Sequence, residues 1–330
     1  MLILFWSVVF AVSLVALVKG ADWFLDSSER IGLSMGISPF VIGVTIVAAG
    51  TSFPELISSF VAILKGAPEL VVANGVGSNI ANILLVVGVV SVFARRIIVK
   101  KDLIDLDLPL LALSMLLLVV VSFDGIITRP EAIVLFLNYI IYLLYVIFEQ
   151  KTEIEAVIDP AIEGNPIEGK LIKRAMFGWL PKISFKDALL LVVGALLLLL
   201  GANYLVESVT RLSYILNIGV SVIGISAVAI GTSLPELLVS VRSAMKGKPE
   251  IAVGNILGSN IFNTFVVIGL PGIFHALPVE GLTLTLGLPA VVIATLIFVI
   301  SGTSKTIYMW EGAGYLSLYV IFMAKLFGLF

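Results

Sequence analysis

Long apolar runs separated by short polar breaks set the pattern of this chain. Ten of them read as membrane helices, at about 2–26, 39–64, 70–93, 106–121, 131–148, 187–209, 220–245, 251–275, 282–300 and 307–327. A helix needs about 20 mainly apolar residues to cross a bilayer, so the pattern predicts an all-α polytopic membrane protein with ten transmembrane helices. Polar positions inside those runs are few and ordered. Gly50-Thr51-Ser52-Phe53-Pro54-Glu55 interrupts the second run, and Gly231-Thr232-Ser233-Leu234-Pro235-Glu236 interrupts the seventh. Asn74, Ser78 and Asn82 are spaced by four on the third helix, as are Asn255, Ser259 and Asn263 on the eighth. That spacing puts each trio on one helix face.

One shift of 181 positions lays the second half on the first without a gap, bringing Glu55 onto Glu236, Asn82 onto Asn263 and Arg30 onto Arg211. From Val41 to Val89 about half of the aligned residues are identical. Internal duplication of this kind is common in transporters. Residues 1–148 form the first half and 187–330 the second. Between them, 149–186 is mixed in charge, holds Pro160, Gly164, Pro166 and Gly169, and reads as a linker too polar for a core of its own. Its acids lack the alternate spacing of a calcium loop.

Charge sets the expected orientation. With the N-terminus outside, every Lys and Arg except Lys65, Arg129, Arg211 and Lys325 falls on the cytoplasmic side, as the positive-inside rule favours. Five helices per half is an odd number, so the halves enter the membrane in opposite senses, as two inverted five-helix repeats. Such repeats place their site near the midplane. The central linker is then cytoplasmic, and the expected location is the cell membrane.

Composition narrows the function. The chain has 330 residues, 60% hydrophobic and 13% charged, with a net charge of −2 and no cysteine. Nothing suggests a nucleic-acid partner, and disulfides and thiolate sites are excluded. The first run lacks a basic start and reads as a helix, not a signal peptide. His275 stands alone at a helix end, and no nucleophile–base pair or phosphate loop points to an enzyme or a bound cofactor. Trp6, Trp23, Trp179 and Trp310 fall near predicted helix ends as interface anchors.

The carboxylates carry the chemistry. A charge at membrane depth costs several kcal/mol, and residues that bear one mark ion or substrate pathways. Pro54 has no N–H, so the Gly50 carbonyl loses its helical partner. A freed carbonyl, the Thr51 and Ser52 hydroxyls and the Glu55 carboxylate make an all-oxygen set suited to hard cations such as Na⁺ or Ca²⁺. Inverting one half onto the other should bring Glu55 and Glu236 together, with Ser78, Asn82, Ser259 and Asn263 facing them. One Ca²⁺ neutralises the pair, and several Na⁺ do the same, so one ion can displace the other. The bland readings are a Pro kink and Asn as interhelical glue. Repetition of Pro beside Glu in both copies argues against the first. For Asn74, Asn79, Asn255 and Asn260 structural and functional roles are evenly balanced, whereas Asn82 and Asn263 read as site lining.

The paired G-T-S-[FL]-P-E-L motifs, each followed by G-S-N-I-x-N (Gly77 to Asn82, Gly258 to Asn263), resemble the two alpha repeats of the calcium/cation antiporter superfamily. They are most similar to prokaryotic sodium/calcium exchangers. The resemblance covers both halves and implies an antiporter that exchanges Na⁺ for Ca²⁺ with net charge movement, working as a monomer. It implies that Glu55 and Glu236 bind both ions and that Thr51 and Thr232 add backbone carbonyls for Ca²⁺. Ser52, Ser233, Ser78 and Ser259 would complete the Na⁺ sites, the Ala48 and Ala229 carbonyls would add Na⁺ ligands, and Asn82 and Asn263 would line the centre. Some relatives carry Asp where Asn263 stands. The Asn removes a third carboxylate and argues against K⁺ co-transport. A calcium/proton antiporter is the alternative, ahead of a cation channel.

Overall fold

The computed structural model describes residues 2–98, 107–164, 183–215 and 233–329. Its helices are α1 (Leu2–Ser34), α2 (Pro39–Leu64), α3 (Glu69–Ala94), α4 (Asp107–Ser122), α5 (Arg129–Gly164), α6 (Phe185–Ile215), α7 (Leu234–Met245), α8 (Pro249–Phe274), α9 (Thr283–Thr303) and α10 (Met309–Leu326). Seven helices among the described residues are long and apolar enough to cross a membrane, and α4 is a shorter apolar helix. The mostly helical, multi-pass membrane architecture expected from the apolar runs is therefore present. The early part of the seventh run, 220–232, lies outside the described residues, as do Ala229 and Thr232.

Two helices run on past their expected ends. α1 continues beyond Asp26 to Ser34, and its acids are paired with Arg242 of α7 and with Lys246 and Lys248 of the turn between α7 and α8. α5 continues past Phe148 to Gly164, so the first part of the segment expected to be a linker is helical. Its Glu, Lys, Ala and Ile content suits a helix.

α8 sits at the centre, with the whole of its most apolar window buried, followed by α3. The outer faces of α1, α4, α5, α6 and α9 carry exposed apolar residues such as Leu4, Leu116, Ile141, Leu196 and Ile300. An apolar exterior over a buried polar centre inverts the soluble pattern and fits lipid as the surrounding solvent.

α1 and α6 cross closely at small residues. A Cβ added to Gly20 would lie 2.9 Å from Leu197 Cβ and 3.0 Å from the Gly194 carbonyl. One added to Gly201 would lie 2.9 Å from Leu17 and 3.1 Å from the Ser13 carbonyl. The 181-residue shift turns Gly20 into Gly201 and Ser13 into Gly194, so the two contacts are the same contact exchanged. Two short antiparallel ladders repeat the exchange. β1 (Arg96–Ile98) pairs with β4 (Thr306–Tyr308), matching Arg96 to Tyr308 and Ile97 to Ile307. β2 (Ile126–Ile127) pairs with β3 (Leu277–Pro278), matching Ile127 to Leu277 and Ile126 to Pro278. Shifting the residues of the first register by 181 reproduces the second, pair for pair.

Candidate functional site

α2 is a broken helix. It opens on Pro39 with Ser38 as its cap and passes through a π-helical stretch at Gly43–Val47. It ends its first arm at Thr51 and begins its second at Phe53. Ser52 leaves the helical region with φ −88° and ψ 4°. Its counterpart Ser233 has φ −91° and ψ 7° at the start of α7. The same Ser-x-Pro-Glu sequence thus makes the same backbone corner twice. Pro54 and Pro235 need no amide partner in a first turn. Glu55 and Glu236 fall in those first turns, where the helix dipole favours negative charge. The carbonyl end of the first arm of α2 faces the same break, so positive and negative helix ends meet there.

Both glutamates are buried, Glu55 at 0% and Glu236 at 1% exposure. They belong to different halves, and a bond from the first half reaches the second glutamate directly: Ser52 Oγ donates to Glu236 Oε1 at 2.9 Å. Neither oxygen of Glu55, nor Glu236 Oε2, has a hydrogen-bond partner among the described residues. The Ser233 and Ser78 hydroxyls and both side-chain amide atoms of Asn82 and Asn263 are in the same position. Buried polar groups are normally satisfied. The carboxylate, hydroxyl and amide oxygens among these groups are the donor set a cation would use.

Thr51 is tied into the opposite half. Its hydroxyl lies 3.1 Å from Asn255 Oδ1, 3.4 Å from Ser259 Oγ and 3.3 Å from the Ala48 carbonyl. With one proton it donates to one of these at a time. The Ala48 carbonyl also accepts the Ser52 amide at 3.0 Å. Ser259 therefore comes together with Thr51. Asn82 and Asn263 lie in π-helical stretches, at Ala81–Val86 of α3 and Asn263–Ile268 of α8. Each stretch packs against the glutamate-bearing arm of the other half, α7 and the second arm of α2 respectively. The sequence pattern did not disclose these stretches. A π turn re-aims side chains and is frequent at functional sites.

Sequence reasoning also missed Ser59 and Ser240, one turn beyond each glutamate. Asn74 Nδ2 donates to the Glu55 carbonyl at 3.3 Å and to Ser59 Oγ at 3.5 Å. In the other half Asn255 Nδ2 donates to Ser240 Oγ at 2.9 Å. Each Asn–Ser pair pins a glutamate-bearing arm to the helix that follows it. The signal was in the duplication, since Ser59 and Ser240 coincide under the shift. Asn79 bridges the halves instead, donating to Thr264 Oγ1 at 3.0 Å.

Repeated Ser-x-Pro-Glu corners, two buried carboxylates and a shell of neutral oxygens inside an apolar bundle define a class: a polytopic membrane protein with a buried polar centre. Comparison with known proteins places it within that class. Residues 5–148 and 186–328 match the family described as sodium/calcium exchanger protein, and the chain belongs to that family of antiporters. It is 35% identical to the sodium/calcium exchanger MaX1 of Methanosarcina acetivorans, over 95% of this chain and 96% of that one. It is 33% identical to an uncharacterized membrane protein of Methanocaldococcus jannaschii, over 96% of both. A solved structure of the sodium-calcium exchanger NCX_Mj, soaked with Na⁺ and Sr²⁺, superimposes with a TM-score of 0.79 at 30% identity, covering 98% of this chain and 99% of that one.

Proposed function

We propose that this antiporter exchanges Na⁺ for Ca²⁺ by alternating access, through ten helices arranged as two inverted five-helix halves. The observation that carries the reading is the pair of buried glutamates at matched Ser-x-Pro-Glu corners, three of whose four carboxylate oxygens have no hydrogen-bond partner among the described residues. The exchanged contacts of α1 with α6, and of the two ladders, support the inverted arrangement. The names of MaX1 and NCX_Mj support Na⁺ and Ca²⁺ as the transported ions.

Glu55 and Glu236 are the shared ligands. An empty site holds two negative charges in a low dielectric, which is costly. One Ca²⁺ cancels them. Na⁺ cancels them as well, held by the same carboxylates with the Ser52, Ser233, Ser78 and Ser259 hydroxyls. The Thr51 and Thr232 carbonyls add to the Ca²⁺ site, the Ala48 and Ala229 carbonyls to the Na⁺ sites, and Asn82 and Asn263 line the centre. For Ala48 this requires the Thr51 hydroxyl to turn to Asn255 or Ser259, both within its reach. Because the ions compete for one oxygen set, filling by one excludes the other, and the carrier changes sides only when its charge is met. Asn263 contributes no third charge, which fits exchange independent of K⁺ and electrogenic when more than two Na⁺ replace one Ca²⁺. The chain works as a monomer in the cell membrane, with its N-terminus outside and residues 149–186 in the cytoplasm.

Ca²⁺ binding to purified protein tests the site. Titration calorimetry should give saturable binding that Na⁺ competes away, lost in both Glu55→Gln and Glu236→Gln. Undiminished binding in either variant refutes the assignment.

A further inference from the structure

The two ends of the α1–α2–α6–α7 group differ, although the duplication relates them. A groove of about 610 Å³ runs between the second arm of α2 and α6, from Lys65, Val61 and Asn203 down to Pro54 and Pro235 beside the site. The 181-residue shift carries its walls onto α7 and α1. There the space is filled: α1 packs on α7, and Leu17, Ala21, Leu25 and Val239 share one buried cluster.

Across the top of that filled seam lies a ladder of charges. Arg242 Nε donates to Asp22 Oδ1 at 3.0 Å, and its Nη2 pairs with Oδ2. Lys246 bridges Asp22 at 3.1 Å and Asp26 at 2.7 Å. Lys248 lies 3.8 Å from Asp26 and pairs with Glu29. The acids sit on one face of α1, and the bases come from the end of α7 and the turn into α8. At the groove the same positions are Asn203, Glu207 and Thr210 facing Val61, Lys65 and Ala67. Only Glu207 and Lys65 keep a charge, and Glu207 pairs with Arg211 of its own helix at 3.5 Å.

We propose that the Asp22–Asp26–Glu29 and Arg242–Lys246–Lys248 ladder is a latch that holds shut the mouth opposite the groove and so sets which side of the carrier is open at rest. The inference rests on the carrier reading above. In the proposed orientation the latched mouth is cytoplasmic. An isolated exposed ion pair would contribute little. These six side chains are only 17–37% exposed and share partners, so removing one base leaves a partly buried acid with fewer partners and weakens the whole ladder. Among the described residues no equivalent ladder spans the groove, so the bias is written into the places where the two halves have diverged.

The chain has no cysteine, so a single introduced thiol reports access directly. Leu25→Cys places one in the closed seam and Val61→Cys places one in the groove. In Na⁺-free and Ca²⁺-free buffer a hydrophilic maleimide should modify Val61→Cys quickly and Leu25→Cys slowly. Adding Arg242→Gln, or independently Lys246→Gln, should speed modification at the seam by about tenfold or more and slow it in the groove, the reciprocal response of a two-state carrier. Unchanged rates in both backgrounds would overturn the latch. So would faster labelling at both reporters, which is loosening rather than a change of side. Thiol access needs no ion flux, so reciprocal labelling in a protein that fails to exchange Na⁺ for Ca²⁺ would refute the function and leave the latch standing.

Discussion

At the scale of single residues, the account turns on charge that the protein leaves unmet. Glu55→Gln and Glu236→Gln should each reduce Ca²⁺ uptake at least about a hundredfold, as expected when a ligand shared by both ions is lost. The variants should remain folded, and without ions they should melt no lower than the parent, because a buried charge without a partner destabilises. Thermal unfolding in Na⁺-free and Ca²⁺-free buffer checks this, and a large drop in Tm would mean that the carboxylates are structural. Asn263→Asp adds a carboxylate beside the pair and should tighten Ca²⁺ relative to Na⁺ in competition assays. Unchanged competition would make Asn263 a packing residue. The glutamates, Thr51, Ser52 and Ser259 were legible from the sequence because each is polar inside an apolar run and appears in both halves. The pinning role of Ser59 and Ser240 was not. A serine one turn from a glutamate is unremarkable until Asn74 and Asn255 are seen to donate to them.

At the scale of elements, broken helices and close crossings decide the outcome. Removing the Asn255–Ser240 bond with Ser240→Ala should cost about 1 kcal/mol of stability. It should also raise the Ca²⁺ concentration for half-maximal uptake more than it lowers the maximal rate, since α7 then presents Glu236 less rigidly. A change in rate alone would contradict this. Gly201→Leu should cost more, because its side chain would have to displace the Leu17 and Ser13 backbone and overpacking of this kind is destabilising by about 1–3 kcal/mol. A Tm equal to that of the parent would show that the α1–α6 crossing is loose. Most described helix positions followed from apolar run length, and the break in α2 followed from Pro54 beside Glu55. The π stretches at Ala81–Val86 and Asn263–Ile268 left no trace in the periodicity, since one extra residue per turn barely shifts an all-apolar pattern. The continuation of α1 to Ser34 was hidden for another reason: its acids look like a solvated end until their partners, more than two hundred positions away, are placed beside them.

At the scale of the whole molecule, duplication supplies both the site and the means of working it. Two copies of one Ser-x-Pro-Glu corner meet through the Ser52–Glu236 bond, so the proposed ligand set is symmetric, while the charges at the two ends of the α1–α2–α6–α7 group have diverged. The exchanged ladders, Arg96 with Tyr308 and Leu277 with Ile127, tie the halves together at both ends. The central claim is that Na⁺ and Ca²⁺ move in opposite directions through this one site. Its most direct measurement is uptake of radioactive Ca²⁺ into proteoliposomes loaded with Na⁺, with the outside Na⁺-free and the membrane voltage set by an ionophore. Exchange through this site gives uptake that requires internal Na⁺, stops when Na⁺ is equal on both sides, and changes with voltage. Uptake that ignores Na⁺ and follows a pH gradient would contradict it in favour of proton coupling, and uptake that needs neither gradient would show a channel.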